Sequence, residues 1–159
     1  MSTIAFQGLG LLSRDMRPGV SEEAHTLKER IDTVLRSMFQ SVTLGKPFEI
    51  LKEVYVESSQ DNWDGYGASA VGSDTYLESQ RFLRLLPTTI PFPEITVEPD
   101  GEIAFEWFEG PRRVLSISVG SENILTYAGL FGINKTHGTE YFGDVLPATI
   151  VSNLQRLFA

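Results

Sequence analysis

The chain has 159 residues, 42% hydrophobic and 21% charged, which fits one globular domain with a real core and excludes wholesale disorder. It contains no cysteine, which excludes disulfides, thiolate metal sites and a cysteine nucleophile together. Its formal charge of −8, from 21 acids against 13 bases, disfavours direct binding to nucleic acid, which rewards clustered Lys and Arg.

Residues 1–20 show no clear period and read as an N-terminal arm, closed by the turn signal Arg17-Pro18-Gly19. The apolar stretch Ile4–Leu12 lacks a preceding basic region and a small-residue cleavage pattern, and no run approaches the roughly 20 apolar residues that span a bilayer. The expectation is a cytoplasmic protein without a membrane segment. Ser21 suits a helix cap, with Glu22 and Glu23 favourable to the amino-terminal dipole. Ala24, Leu27, Ile31, Val34, Leu35 and Met38 follow at helical spacing as one apolar face, and Gly45-Lys46-Pro47 is expected to end the helix. A second helix is predicted from about Pro47 to Ser58, with Phe48, Leu51, Val54 and Tyr55 on one side.

Asn62-Trp63-Asp64-Gly65-Tyr66-Gly67-Ala68 follows. Gly65 and Gly67 open positive φ, and Asp64 can close a turn through its carboxylate, so a tight non-repetitive loop is predicted. Two readings compete: a structural anchor with the Trp63 and Tyr66 rings pressed into the core, or a recognition loop with the rings as platform and Asp64 as polar handle. The anchor is preferred.

Ser73 or Asp74 is read as the cap of a helix running to about Leu86, with Tyr76, Phe82, Leu83 and Leu86 turned to the core. Pro87, Pro91 and Pro93 then force an extended connector. Period-two alternation bounded by Pro99-Asp100-Gly101, Glu109-Gly110-Pro111 and Gly120–Asn123 predicts strands at Ile95–Val97, Glu102–Phe108, Arg113–Val119 and Ile124–Ala128. Gly129, Gly132 and Gly138 read as breaks, leaving Thr139–Phe142 as a short edge strand at most. Pro147 opens a closing helix whose Ile150, Val151, Leu154, Leu157 and Phe158 can cover the sheet. The predicted fold is α+β: residues 21–159 as one domain, with N-terminal helices, a central antiparallel meander of about four strands and a covering C-terminal helix.

No phosphate loop, zinc spacing, nucleophile elbow or calcium loop is present, so neither cofactor nor metal is called. His25 and His137 lie far apart, and His25 reads as a surface residue. Glu102 and Glu106 should share the exposed face of one strand, with Glu98 or Arg113 as cross-strand neighbours, as the ordinary dressing of a solvated sheet. An enzyme would have to combine Asp64, Glu106 and His137, a set resting on residue type alone.

The stretch from Trp63-Asp64-Gly65-Tyr66-Gly67-Ala68 through Arg81–Pro87 to Pro99-Asp100-Gly101-Glu102-Ile103-Ala104-Phe105-Glu106-Trp107 resembles a group of small uncharacterised bacterial proteins. That group shares a W-D-G-x-G-A opening, a helix, a proline connector and a D-G-x-I-x-x-E-W strand. The resemblance implies a bacterial or phage protein and a recurring domain, and brings no activity or site with it.

The charge is unevenly placed. Residues 1–60 carry eight acids and seven bases, residues 61–159 thirteen and six, and Glu94–Glu109 holds six acids with no base. This skew leads to a non-enzymatic interaction module, antitoxin-like, immunity-like or an inhibitor, whose acidic surface meets a basic protein partner. The expected contact residues are Glu98, Asp100, Glu102, Glu106, Trp107, Phe108 and Glu109. The alternative is a small-ligand-binding or hydrolytic domain with a pocket under the Trp63–Gly67 loop, built from Trp63, Asp64, Tyr66 and His137. Neither reading sets an oligomeric state.

Overall fold

The computed structural model describes residues 22–159, with side chains at 26–35 and 45–159. The expected arm, the Ser21 cap and the His25 side chain lie outside the described residues. By contacts the chain divides into two compact units, Met1–Ser37 and Met38–Ala159.

Helix α1 spans Glu22–Glu57, so the break expected at Gly45–Pro47 does not occur. Proline inside a helix forfeits one hydrogen bond at about 3 kcal/mol. The stretch after it offsets that loss by packing: Leu51 is fully buried, and Phe48, Ile50, Val54 and Tyr55 pack partly buried against the same core. In the first unit Leu27, Ile31, Val34 and Leu35 of the apolar face are between 45% and 59% exposed.

In the second unit, α2 (Ser73–Leu85) begins after Gly72, and no side chain caps it, neither Ser73 nor Asp74. Phe82 and Leu83 are buried as expected, while Tyr76 and Leu86 are only partly so, Tyr76 stacking on Tyr55 with ring centroids 4.2 Å apart. Five strands follow: β1 (Glu94–Val97), β2 (Ile103–Gly110), β3 (Arg113–Val119), β4 (Ile124–Phe131) and β5 (Asn134–Tyr141). They form one antiparallel meander in the order β1-β2-β3-β4-β5, and α3 (Ala148–Phe158) closes the chain. The α+β class and the C-terminal helix stand as expected, with five strands in place of four.

Strand alternation gives the sheet two unlike faces. Ile103, Phe105 and Trp107 of β2 and Leu115, Ile117 and Val119 of β3 point inward, joined by Leu125 and Tyr127 of β4. Phe82 of α2 meets Phe105 at 4.8 Å between ring centroids, and Ile150, Leu154 and Leu157 of α3 complete the core. Arg113 fastens the far end of α3 by donating from Nη2 to the carbonyls of Arg156, Leu157 and Ala159.

The extra strand length comes from glycines that do not break the sheet. Gly129 and Gly138 sit within strands, on the inner face, where a Cβ would stand 2.7 Å from the Phe131 ring and 2.7 Å from the Tyr127 hydroxyl respectively. They make room for aromatic rings. Only Gly132 acts as punctuation, opening the β4–β5 turn at φ 69.

Gly138→Ala should therefore overpack the core beneath Tyr127 and destabilise the domain by about 1–3 kcal/mol, read by urea unfolding. An unchanged unfolding midpoint would show that the Tyr127 ring yields freely.

Candidate functional site

The six acids of residues 94–109 fall into two groups at opposite ends of the β1–β2 hairpin. At the turn, Gly101 adopts φ 90 and its amide donates to the Glu98 carbonyl at 2.9 Å. The Asp100 carboxylate accepts from the Glu102 amide at 3.1 Å, and Glu98 accepts from the Ser118 hydroxyl at 2.6 Å. Carboxylate oxygens of Glu98, Asp100 and Glu102 lie within 4.8 Å of one another, a spacing that a hard cation could bridge. Glu102 lies against Gly120, where a Cβ would meet its Oε1 at 2.6 Å. Burial, then the neighbouring Asp100 and Glu98 charges, raise its pKa above the ordinary 4.5.

At the other end, Glu94 of β1 stands directly opposite Glu106 of β2. Like charges on opposed strand positions work against pairing. Among the described residues no base pairs with Glu94, Glu106 or Glu109. Beside them runs a groove of about 410 Å³ lined by Pro91, Phe92, Glu94, Glu106, Trp107, Phe108 and Glu109. Phe108 is 68% exposed on the same sheet face as Glu106. Trp107 is not a free aromatic: it points inward, and its Nε1 donates to the Pro91 carbonyl at 2.7 Å. It fixes the proline connector that forms the groove's far wall. Phe92, absent from the expected contact residues, supplies a second partly exposed ring. Its place after Pro91 in an extended connector was the available signal.

The Asn62–Ala68 loop is a clasp. Asn62 adopts φ 64, Gly65 φ 77 and Gly67 φ 96. Asp64 Oδ1 accepts from the Tyr66 amide at 2.8 Å and the Ala68 amide at 3.1 Å, and Asn62 Oδ1 accepts from the Gly67 amide at 2.8 Å. These amide bonds hold the Asp64 carboxyl below its ordinary 3.8. Trp63 is partly buried, its Nε1 donating to the Ser69 carbonyl at 3.1 Å. The chain leaving the loop is tied on two sides, Ser69 N to the Pro99 carbonyl at 2.8 Å and Val71 N to the Ser58 carbonyl at 2.9 Å. The clasp thus joins the end of α1 to the β1–β2 turn. Tyr66 does not press into the core as expected; it is 95% exposed.

The residues proposed for an enzyme do not converge. Glu106 aligns with Ser116, Ala128 and His137 in one row across four strands, which separates it from His137 by roughly 14 Å at the usual strand spacing. The clasp meets the sheet at Pro99, on the β1 side, whereas His137 lies on β5 at the opposite edge. Arg113, expected as a neighbour of Glu106, is instead engaged with the end of α3. Comparisons with family models, with curated proteins and with solved structures each returned no match.

Two outcomes test these electrostatics. The folded state takes up the Glu102 proton more readily than the unfolded chain, so stability should rise as pH falls from neutral through the raised value and level off below 4.5. Glu102→Gln should raise the melting temperature at pH 7 and abolish that rise; a lower melting temperature would contradict it. Asp64 has the opposite sign: its contribution is present above 3.8 and lost as pH falls through its lowered value. Asp64→Asn should lower the melting temperature at neutral pH and speed hydrogen exchange at the Tyr66 and Ala68 amides, whereas unchanged exchange would show that the charge does not hold the loop.

Proposed function

We propose that this is a non-enzymatic interaction module, of the antitoxin, immunity or inhibitor kind, that receives a basic protein partner at the β1–β2 end of its sheet. The observation that carries the reading is the unpaired Glu94–Glu106 couple beside the exposed Phe108 and Phe92 rings along one groove. An arginine or lysine side chain entering there relieves the like-charge opposition and gains charge-assisted bonds from the carboxylates. Its alkyl stem and cationic head can also lie against the rings.

The overall charge of −8 supplies the long-range part. Such charges chiefly raise the association rate and fade with salt, because the Debye length is about 8 Å at physiological ionic strength. Lasting affinity needs an apolar anchor, and Phe108 is the exposed ring placed for it. Glu98, Asp100 and Glu102 at the hairpin turn add to the field from the other end of the strands. Among the described residues no helix is long and apolar enough to cross a membrane, and a cysteine-free chain suits the reducing cytoplasm in which we place it.

The test uses a short arginine-containing peptide as probe, titrated across a salt series. Binding should weaken as salt rises and be lost in the Glu94→Gln, Glu106→Gln double variant and in Phe108→Ala. The double variant should at the same time be more stable than the wild type by roughly 0.2–1 kcal/mol, the size of a cross-strand pair effect. Equal binding by the wild type and the double variant would remove this groove from the mechanism.

A further inference from the structure

The two edges of the sheet are built differently. The β1 edge is short and guarded: four residues, preceded by Pro91 and Pro93 and opening on Glu94. Proline, brevity and charge are the usual devices that keep an edge strand from pairing with another chain. Strand β5 is twice as long, has no proline, and carries only Lys135 and Glu140 as charges, with Glu140 on the inner face. It pairs with β4 at all eight positions from Asn134 to Tyr141, without proline or bulge, and among the described residues no strand lies on its other side.

Which backbone groups face that open side follows from one bond. The Phe142 amide donates to the Asn123 carbonyl at 2.7 Å, on the β4 side. Along an antiparallel strand the backbone groups alternate in direction. Residues 134, 136, 138 and 140 therefore turn theirs to β4, and Lys135, His137, Thr139 and Tyr141 turn theirs outward.

The exposed apolar side chains sit at the two ends of this edge. Ile133, 85% exposed, stands in the turn before it, and Tyr141, 70% exposed, ends it beside its cross-strand partner Ile124 at 37%. We propose that a second copy of this chain adds its β5 antiparallel to this one, about a two-fold axis at His137, to form one continuous ten-stranded sheet. That register sets Lys135 opposite Thr139 of the other copy and exchanges bonds between the outward backbone groups on both sides of the axis. It also brings each Ile133 onto the other copy's Tyr141 and Ile124, closing an apolar cluster at both ends of the seam. A two-fold at Gly138 would set Ile133 opposite Gly143 and leave both clusters open. On the other face Asn134 meets Glu140, and no two acids oppose each other. The edge is self-complementary, which is what a two-fold interface requires.

The chain has no cysteine, so an introduced one reports geometry directly. Hydrogen-bonded partners lie about 5.5 Å apart between Cα atoms, within the range a disulfide spans. In the full chain, His137→Cys should form a covalent dimer under mild oxidation. Lys135→Cys and Thr139→Cys should each fail alone and cross-link when mixed. Thr139→Pro loses no bond within the chain, since its amide faces outward. It should keep the circular dichroism and melting temperature of the wild type while weakening the dimer by about tenfold or more in light scattering or sedimentation. Ile133→Asp, at an exposed turn position, should weaken it as well. A wild-type chain that stays monomeric at about 100 µM, where a micromolar dimer would be largely assembled, overturns the proposal. So does a dimer indifferent to Thr139→Pro, or a His137→Cys variant that cross-links no faster than Lys135→Cys.

Discussion

The five-stranded meander buries one face nearly throughout and on the other buries only Ala104 and Ser118, and most of what the second unit offers to solvent follows from that. Ile103, Phe105, Leu115, Ile117 and Leu125 point inward beneath α2 and α3, and each is fully buried or nearly so. Because side chains alternate along a strand, the residues between them are committed to the other face, whatever their chemistry. Glu106 and Phe108 are outward because Phe105 and Trp107 are inward. A sheet covered on both sides could not hold Glu94 opposite Glu106 without a partner inside the chain, since buried like charges are far more costly than solvated ones. The open face is what makes an unpaired acidic couple tolerable.

The same alternation decided how much could be read from the residues. The turns at Pro99–Gly101, Gly110–Pro111 and Gly120–Asn123 lie where the strand pattern predicts, because Pro, Asp and Gly state the backbone geometry locally. The length of β4 and the part of β5 before Thr139 are hidden by Gly129 and Gly138, whose role is set by rings that fold over them from elsewhere. No local rule distinguishes a glycine that turns the chain from one that makes room. Pro47 misled in the same way: its cost is local, while the packing of Leu51 and its neighbours that offsets it is tertiary. For the site, the acidic stretch and Phe108 were legible as sequence, but its division into two groups was not. Trp107 stands among the expected contact residues because the hydrogen bond that holds it inward, to Pro91, spans 16 residues and leaves no local sign.

The Trp63–Ala68 motif has a structural account that needs no ligand. Its glycines and Asn62 take left-handed conformations, its Asn and Asp carboxyl and amide oxygens absorb three backbone amides, and the chain beyond it joins Ser58 to Pro99. Gly101 completes the joint from the sheet side, where a Cβ would stand 2.7 Å from the Ala70 carbonyl oxygen. The clasp thus sets where the β1–β2 hairpin lies relative to the end of α1. A change in the clasp would reach the acidic groove through the hairpin.

Under the two proposals together, the unequal treatment of the two edges would amount to a division of labour. The β1 side carries Pro91, Pro93 and the carboxylates, which repel another strand but suit a basic side chain arriving from solution. The β5 side carries no acid on its outward-facing positions and has apolar residues at its ends, which suits a strand of its own kind. A ten-stranded sheet formed at β5 would carry an acidic groove at each extremity, separated by nine strand spacings, or roughly 43 Å. Two modest sites held at a fixed span bind a repeated or two-fold basic surface far more tightly than either alone, and discriminate against a partner whose basic patches are spaced differently. A small groove with two exposed phenylalanine rings would be weak as a single site; doubled across a rigid sheet, it would gain both affinity and a ruler.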